Sequence, residues 1–184
     1  MVINRKPKYR IENVVASVTF NRHIDLNLIA EKVPYTEYDP DQFPGLVLRI
    51  NKPKTALLIF STGKMVCTGA KSENEVYKAV DKVVKLLAKY GIDLGEPEIT
   101  IQNIVASGSL NGTVDLERAA LLLENTMYEP EQFPGLIYRM GDPRVVILVF
   151  SSGKCVCTGA KKEKDVEVAI NKLYNKLMEL EVLK

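Results

Sequence analysis

The feature that most constrains the fold of this chain is an internal repeat with a spacing of 90 residues. Aligned without gaps, 30 of the 61 residue pairs between 11–71 and 101–161 are identical, far more than chance would give. Two copies are too few for a solenoid, and two copies of one unit usually pack about an approximate two-fold axis. We therefore predict two pseudo-symmetric repeats, at 1–93 and 94–184. The matching motifs are IENVVASV (11–18) with IQNIVASG (101–108), YDPDQFPGLVLRI (38–50) with YEPEQFPGLIYRM (128–140), and IFSTGKMVCTGAK (59–71) with VFSSGKCVCTGAK (149–161).

Each repeat contains the same predicted order of strands and helices. The short helix begins after Asp25, a residue type that caps helix N-termini. The long helix begins with Ser72, followed three residues later by Glu75, which is a capping box. Strands joined by short turns pair antiparallel, so we predict an α+β fold with about five strands per repeat. In the first repeat the strands lie near 9–20, 35–39, 45–51, 54–60 and 64–70, and the helices near 25–33 and 72–89.

The two faces of the predicted sheet differ in what can cover them. Side chains alternate between faces along a strand, and each long helix has a single apolar stripe, so the helices can cover only one face. The other face is also mostly apolar, although antiparallel sheets usually show polar residues to water. An uncovered apolar face of this size implies a partner. The helix stripes are Val76, Ala79, Val80, Val83 and Leu87, and Val166, Ala169, Ile170, Leu173 and Leu177. The uncovered residues are Val15, Leu58, Phe60, Val66 and Thr68, repeated as Val105, Leu148, Phe150, Val156 and Thr158.

Polar and cationic residues around the uncovered face indicate the chemistry of that partner. Asn13 and Asn103 occupy equivalent positions, as do Thr68 and Thr158, and amides and hydroxyls can each give or take a hydrogen bond at a narrow site. The floor of the DNA minor groove offers acceptors that barely distinguish A·T from T·A, and its borders are phosphates. An apolar surface with central Asn and Thr and a cationic rim suits that groove. The cations are the pairs Arg49 and Arg139, Lys64 and Lys154, and Lys71 and Lys161.

Each repeat also places one phenylalanine before a Pro-Gly turn and a second at the end of a neighbouring strand. Such a pair of rings at each end of the sheet predicts wedges that enter between base steps and kink the duplex. The proline would stiffen the loop that presents the ring, and the glycine would permit a sharp reversal of the chain. The residues are Phe43, Pro44, Gly45 and Phe60, repeated as Phe133, Pro134, Gly135 and Phe150.

Composition excludes several other classes of protein. The formal net charge is only +2, so no strongly basic tail marks the chain for nucleic acid. Three cysteines, an odd number, favour a reduced interior, and no apolar run reaches the length of a membrane span or a signal-peptide core. We therefore predict a cytoplasmic, nucleoid-associated protein. No catalytic triad, metal site or complete phosphate loop can be assembled from the chain, so we predict no enzyme activity, no metal and no cofactor.

The combined motifs closely resemble the TATA-box-binding protein family, in its archaeal form because both repeats carry QFPGL. The resemblance covers about residues 8–181. It implies a saddle in which ten antiparallel strands form a curved sheet, with four helices on the convex face. It also implies a general transcription initiation factor that binds A·T-rich promoter DNA, kinks it, and recruits transcription factor B and, indirectly, RNA polymerase.

The resemblance assigns roles to individual residues of this chain. The intercalating rings would be Phe43, Phe60, Phe133 and Phe150. Base contacts would come from Asn13, Val15, Leu58, Val66, Thr68, Asn103, Val105, Leu148, Val156 and Thr158. Backbone phosphates would be met by Arg49, Lys64, Lys71, Arg139, Lys154 and Lys161. Glu129 and Glu131 would dock a basic surface of transcription factor B, and Asp39 and Asp41 match them in the first repeat.

Two other classes of function compete with DNA binding. One is a protein-interaction scaffold whose apolar sheet is buried by self-association or by another protein. The other is a small-molecule carrier with a cavity under a curved sheet. The paired Asn and Thr residues and the paired cations favour DNA over both. For the DNA-binding protein itself, a homodimer in the absence of DNA is an open alternative to a monomer.

Overall fold

The computed structural model describes residues 6–184, which form ten strands and four helices. The elements of the first repeat are β1 (Lys8–Thr19), α1 (Leu26–Lys32), β2 (Thr36–Glu37), β3 (Leu46–Asn51), β4 (Lys54–Ile59), β5 (Lys64–Ala70) and α2 (Glu73–Lys89). Those of the second are β6 (Glu98–Ser109), α3 (Leu116–Leu122), β7 (Thr126–Met127), β8 (Leu136–Gly141), β9 (Arg144–Val149), β10 (Lys154–Ala160) and α4 (Glu163–Glu179). The predicted α+β class is confirmed, and the main difference is that β2 is only two residues long.

All of the described strand pairs are antiparallel, as the short turns predicted. The strand order is β2-β3-β4-β5-β1-β6-β10-β9-β8-β7. The same register recurs in both repeats: Leu46 lies opposite Ile59 in the β3–β4 ladder, and Leu136 lies opposite Val149 in the β8–β9 ladder. The repeat in sequence is therefore also a repeat in strand pairing.

The chain divides into two compact units whose limits differ from those of the sequence repeats. The N-terminal unit is Asn13–Gln102, and the C-terminal unit is Asn103–Lys184 together with residues 6–12. Each unit therefore includes the first part of a long strand from the other repeat. The division at 93 and 94 stays a prediction about the sequence repeats.

Each long helix covers one face of its unit. α2 starts where the Ser72 hydroxyl accepts a hydrogen bond from the Glu75 N–H at 3.1 Å, as the capping box predicts, and the Glu75 carboxylate accepts one from the Lys71 N–H. The buried residues of α2 are Val76, Ala79, Val80, Val83 and Leu87, which are the predicted stripe. In the strands of the first repeat the buried residues include Val14, Ala16, Val18, Leu46, Leu48, Leu57, Ile59, Met65 and Cys67. Helix and sheet thus bury the alternate positions that the sequence assigns to the helix side.

Candidate nucleic-acid interface

In each unit, the side of the strands opposite the long helix remains partly exposed, and we call it the open face. In the N-terminal unit one row across it runs through Val47, Leu58, Val66 and Ser17, and the next through Arg49, Ala56 and Thr68. In the C-terminal unit the rows are Ile137, Leu148, Val156 and Ser107, and Arg139, Val146 and Thr158. The rows therefore bring Leu58, Val66 and Thr68 together in the N-terminal unit. Their counterparts Leu148, Val156 and Thr158 lie together in the C-terminal unit. Val15 and Val105, also predicted for the floor, are half-exposed.

A bulge in β5 fixes the orientation of the central asparagine. Between the pairs Val14–Ala70 and Ala16–Cys67 the register shifts by one residue, and Gly69 takes a φ of +94° there, which glycine adopts at no steric cost. Its N–H donates to Asn13 Oδ1 at 2.7 Å, while Asn13 Nδ2 donates to Thr68 Oγ1 at 3.3 Å. Because a backbone N–H can only donate, the amide oxygen is identified, and a second amide N–H remains for a ligand.

The C-terminal unit contains the same cluster. Gly159, with a φ of +99°, donates its N–H to Asn103 Oδ1 at 2.7 Å. Asn103 Nδ2 in turn donates to Thr158 Oγ1 at 3.2 Å. Each open face therefore presents an oriented amide donor among half-exposed valine and leucine side chains. This combination can read hydrogen-bond acceptors at the bottom of a narrow apolar groove.

The two phenylalanines of each unit form an edge-to-face pair. The centroids of Phe43 and Phe60 are 5.8 Å apart, and those of Phe133 and Phe150 are also 5.8 Å apart. Phe43 is 39% and Phe133 is 36% exposed, so each pair has one ring that is free on a large part of its surface.

The glycine beside each ring pair has a different role from the predicted one. Gly45 does not adopt a left-handed φ, so it is not required for a sharp reversal. A Cβ at Gly45 would instead lie 2.8 Å from Phe43 Cε1 and 3.0 Å from Phe60 Cε1, and Gly135 shows the same distances to Phe133 and Phe150. Both glycines therefore make room for the rings, which pack directly against the backbone.

The predicted rim cations are all exposed, but the first and second repeats differ in one contact. Arg49 Nη1 lies 2.6 Å from Glu37 Oε1, and Met127 replaces that glutamate beside Arg139. Each arginine lies in the same row as the threonine that contacts the central asparagine, Arg49 with Thr68 and Arg139 with Thr158. Lys64 and Lys154 begin β5 and β10 beside the second ring of each pair, and Lys71 and Lys161 directly follow these strands.

Three positions of the open face in each repeat were not among the predicted base contacts. Ser17, Val47 and Ala56 lie in its rows, and their counterparts are Ser107, Ile137 and Val146. The alternation of apolar residues along 45–51 already assigns Val47 to the side opposite Leu46 and Leu48, so strand periodicity could have found it. The alternation along 56–60 likewise assigns Ala56 to the side of Leu58. Neither Ser17 nor Ala56 was predicted as a contact, because small side chains carry little chemical signal.

The chemistry of the cysteines fits a structural role. Cys67, Cys155 and Cys157 are buried and unpaired. Burial raises the pKa of Cys67 and Cys155 to about 11 and, together with the charge of Cys155, that of Cys157 to about 12. The thiolate is the form that binds metals and attacks electrophiles, so these thiols are inert near neutral pH. Within 6–184 no cluster of acids, histidines and cysteines is arranged to hold a metal ion.

The acidic pair proposed for partner docking lies on a turn next to an exposed ring. The carbonyl of Glu129 accepts hydrogen bonds from the N–H groups of Gln132 and Phe133, both at 2.9 Å. Asp39 makes the same contacts to Gln42 and Phe43 in the first repeat. Glu129 and Glu131 are exposed, so their carboxylates are available to a partner.

None of the helices described is long and apolar enough to cross a membrane.

Taken together, the fold and the open faces define a class: a duplicated α+β protein with two apolar, amide-bearing and cation-edged sheet faces, as expected of a nucleic-acid-binding protein. The family model for transcription factor TFIID, or TATA-binding protein, matches residues 8–90 and 98–180. The chain therefore belongs to the TATA-binding protein family. This is a family of transcription factors, which confirms the prediction that the protein is not an enzyme.

Individual relatives agree with this assignment and are archaeal, as predicted. The chain is 62% identical over 181 residues to the TATA-box-binding protein of Pyrobaculum aerophilum, covering 98% of this chain and 91% of the relative. It is 58% identical to that of Sulfurisphaera tokodaii, covering 97% and 91%. Among solved structures, a Methanococcus jannaschii TBP aligns with a TM-score of 0.84 at 49% identity, covering 94% of this chain and 99% of the other.

Proposed function

We propose that this protein is a general transcription initiation factor that binds A·T-rich promoter DNA through the minor groove. The observation that carries the proposal is the pair of oriented amides. Asn13 and Asn103 are each held by a glycine N–H at 2.7 Å, so that an amide N–H remains free on an apolar face. The minor-groove edges of A·T pairs carry only acceptors, whereas the guanine amino group would obstruct such a donor and the apolar floor.

Kinking of the duplex by the phenylalanines is the second part of the proposal. Proteins that bind the minor groove frequently insert apolar side chains between base steps, and TATA-binding proteins are themselves a well-known example of this mode of binding. Phe43 and Phe133 are exposed enough to enter a base step, and Phe60 and Phe150 support them from behind at 5.8 Å. TA steps unstack at low cost, so we expect a preference for flexible A·T-rich sites that contain them.

The cations would bind the phosphates along the groove. Three exposed cations lie at the border of each open face. They are Arg49, Lys64 and Lys71 on the N-terminal unit, and Arg139, Lys154 and Lys161 on the C-terminal unit. Because phosphate neutralisation releases counterions, binding would weaken steeply with salt. Burial of the apolar floor would also give a negative heat-capacity change on binding.

The test is a mobility-shift titration with two promoter-length duplexes, one A·T-rich with TA steps and one G·C-rich. Tighter binding of the A·T-rich duplex by roughly 10-fold or more is expected, since each mismatched pair costs about 1–3 kcal/mol. Equal affinity for both duplexes would contradict minor-groove readout. Binding to neither, together with self-association in sedimentation, would instead support the protein-interaction scaffold.

We further propose that Glu129 and Glu131 dock a basic surface of transcription factor B, which would bring RNA polymerase to the promoter. This docking site is supported by the exposure of both carboxylates, which lie on the turn that ends at Phe133, next to the proposed DNA contact. The double variant Glu129→Arg plus Glu131→Arg should bind DNA but fail to form the ternary complex. The matched control is Asp39→Arg plus Asp41→Arg on the equivalent turn. A full ternary complex with the first variant would refute this docking site.

A further inference from the structure

The two open faces receive different charges from the long strands β1 and β6. The start of β1, up to Glu12, belongs to the C-terminal unit, whereas the start of β6, Glu98–Gln102, belongs to the N-terminal unit. At equivalent positions of the repeat, Lys8 corresponds to Glu98 and Arg10 to Thr100. At these two positions the C-terminal unit gains two cations, whereas the N-terminal unit gains one acid and one neutral residue. At the next equivalent position Glu12 corresponds to Gln102, so over all three positions the net charge is +1 on the C-terminal unit and −1 on the N-terminal unit.

Hydrogen bonds place these cations at the open face of the C-terminal unit. Ser107, which lies opposite Val156 in the open-face row, donates its hydroxyl to Glu12 Oε1 at 2.7 Å. Arg10 contacts the same carboxylate oxygen at 2.8 Å. Residues two apart on a strand point to the same side, so Lys8 shares this side with Arg10 and Glu12.

A cavity of about 740 Å³ joins these residues to the proposed DNA contacts of the same unit. Its lining includes Lys8, Arg10, Ser109, Phe150, Lys154 and Val156. The corresponding cavity of the N-terminal unit is smaller, about 520 Å³, and is lined by 17–19, Pro44, 60–62 and 64–66. Three cations therefore surround the cavity beside Phe150, whereas Lys64 is the one cation among the described residues that lines the cavity beside Phe60.

We infer that Lys8 and Arg10 form an additional phosphate-binding site for the duplex, present on the C-terminal unit alone among the residues that the structure describes. The inference rests on the proposed function, because the ligand is the sugar-phosphate backbone of DNA. The ion pair with Glu12 orients the Arg10 guanidinium yet leaves its side chain 80% exposed, so it can bind phosphate at the same time. The two halves of the binding site thus hold DNA with unequal strength.

The test exchanges the residues between the equivalent positions. One variant carries Lys8→Glu plus Arg10→Thr, and its reciprocal carries Glu98→Lys plus Thr100→Arg. Affinity for the A·T-rich duplex is measured against KCl concentration. The salt slope is the slope of log affinity against log KCl concentration, and each phosphate contact contributes about −0.9 to it. The first variant loses two such contacts, so the magnitude of its salt slope should fall by about 2. Its affinity near 0.1 M salt should fall roughly 10- to 100-fold. The reciprocal variant should steepen the slope.

A control variant separates local contacts from net charge. Lys78→Glu plus Lys89→Thr changes the charge by the same amount at exposed positions of α2, the helix on the other side of the sheet. Its salt slope should match that of the parent. Equal changes in both variants would overturn the inference, as would an unchanged slope in the first. If the folded parent protein binds no DNA, the proposed function itself fails, which is a separate outcome.

Discussion

Asn13 Oδ1 accepts a hydrogen bond from the Gly69 N–H at 2.7 Å, and this contact decides which end of the amide faces the ligand. The glycine can donate because the β5 bulge gives it a φ of +94°. The Thr-Gly pair in each CTGA motif is therefore part of the proposed recognition site. The glycine contributes through its backbone N–H, since it has no side chain that could contact DNA. Asn103 and Gly159 repeat the arrangement at the same distance.

The first prediction removes the amide donor and keeps the acceptor. In Asn13→Asp plus Asn103→Asp, the carboxylates can still accept from Gly69 and Gly159, so the melting temperature should change by only a few degrees. Affinity for the A·T-rich duplex should fall by about 10- to 100-fold, as expected for the loss of specific groove contacts worth roughly 1–3 kcal/mol. Fluorescence anisotropy measures the affinity, and Asn27→Asp on the exposed side of α1 is the control. Unaltered affinity would show that the Asn13 and Asn103 amides do not donate hydrogen bonds to the DNA.

The second prediction concerns the exposed rings. Phe43→Ala plus Phe133→Ala should reduce DNA bending and affinity without unfolding the protein, because both side chains are more than one-third exposed. Each lost edge-to-face contact should cost only about 1 kcal/mol of stability. Bending is measured by energy transfer between dyes at the two ends of the duplex. Tyr77→Ala, which removes a 49% exposed ring from α2, is the control. An unchanged bend with all four phenylalanines replaced would rule out the wedge mechanism.

The third prediction separates steric conflict from backbone strain in the turns. Gly153 has a φ of +90°, and a Cβ there would lie 1.9 Å from the Gly112 carbonyl oxygen. Gly91 has a φ of +83°, yet a Cβ there would meet nothing within 4 Å. Gly91→Ala should therefore cost only the left-handed strain of about 1–2 kcal/mol. Gly153→Ala should cost clearly more, because backbone must move as well. Urea unfolding of both variants measures the difference, and equal losses would show that the turn at Gly153 relaxes freely.

Strand periodicity and the repeat were enough to predict much of this fold. The alternation of Leu57 and Ile59 against Leu58 and Phe60 assigned the two faces correctly, because buried and open positions differ in exposure along the whole strand. The helix starts after Asp25 and Ser72 were predicted because their side chains accept from backbone N–H groups that have no partner within the helix.

Features that depend on contacts far apart in sequence were not predictable in this way. The role of Gly45 depends on two rings that meet only after β3 and β4 pair. The assignment of Lys8 and Arg10 to the C-terminal unit depends on Ser107, which lies 95 residues from Glu12 in the chain. Periodicity describes one strand at a time, so it carries no information about which strand ends become neighbours.

The last prediction follows from the three buried thiols. Their pKa values, about 11 to 12 in the folded protein, lie above the unfolded value of 9.0 because burial disfavours the thiolate. The stabilisation of the folded state that results is complete below pH 9 and is lost as pH rises through the folded pKa values. Native protein at about pH 8 should therefore react with a thiol reagent far more slowly than unfolded protein.

Between pH 9 and about 11 the thiols ionise in the unfolded chain but stay protonated in the folded protein. The free energy of unfolding should therefore fall as the pH rises through this range. Lysines and tyrosines titrate in the same range, so the quantity to compare is the difference between the parent and a variant with Cys67, Cys155 and Cys157 all changed to Ala. The variant will be less stable at every pH because the substitutions leave cavities. Its stability should nevertheless decline less steeply above pH 9, since unfolding no longer exposes thiols that ionise. Parallel pH curves for the two proteins would show that the thiols are as easily ionised in the folded chain as in the unfolded one.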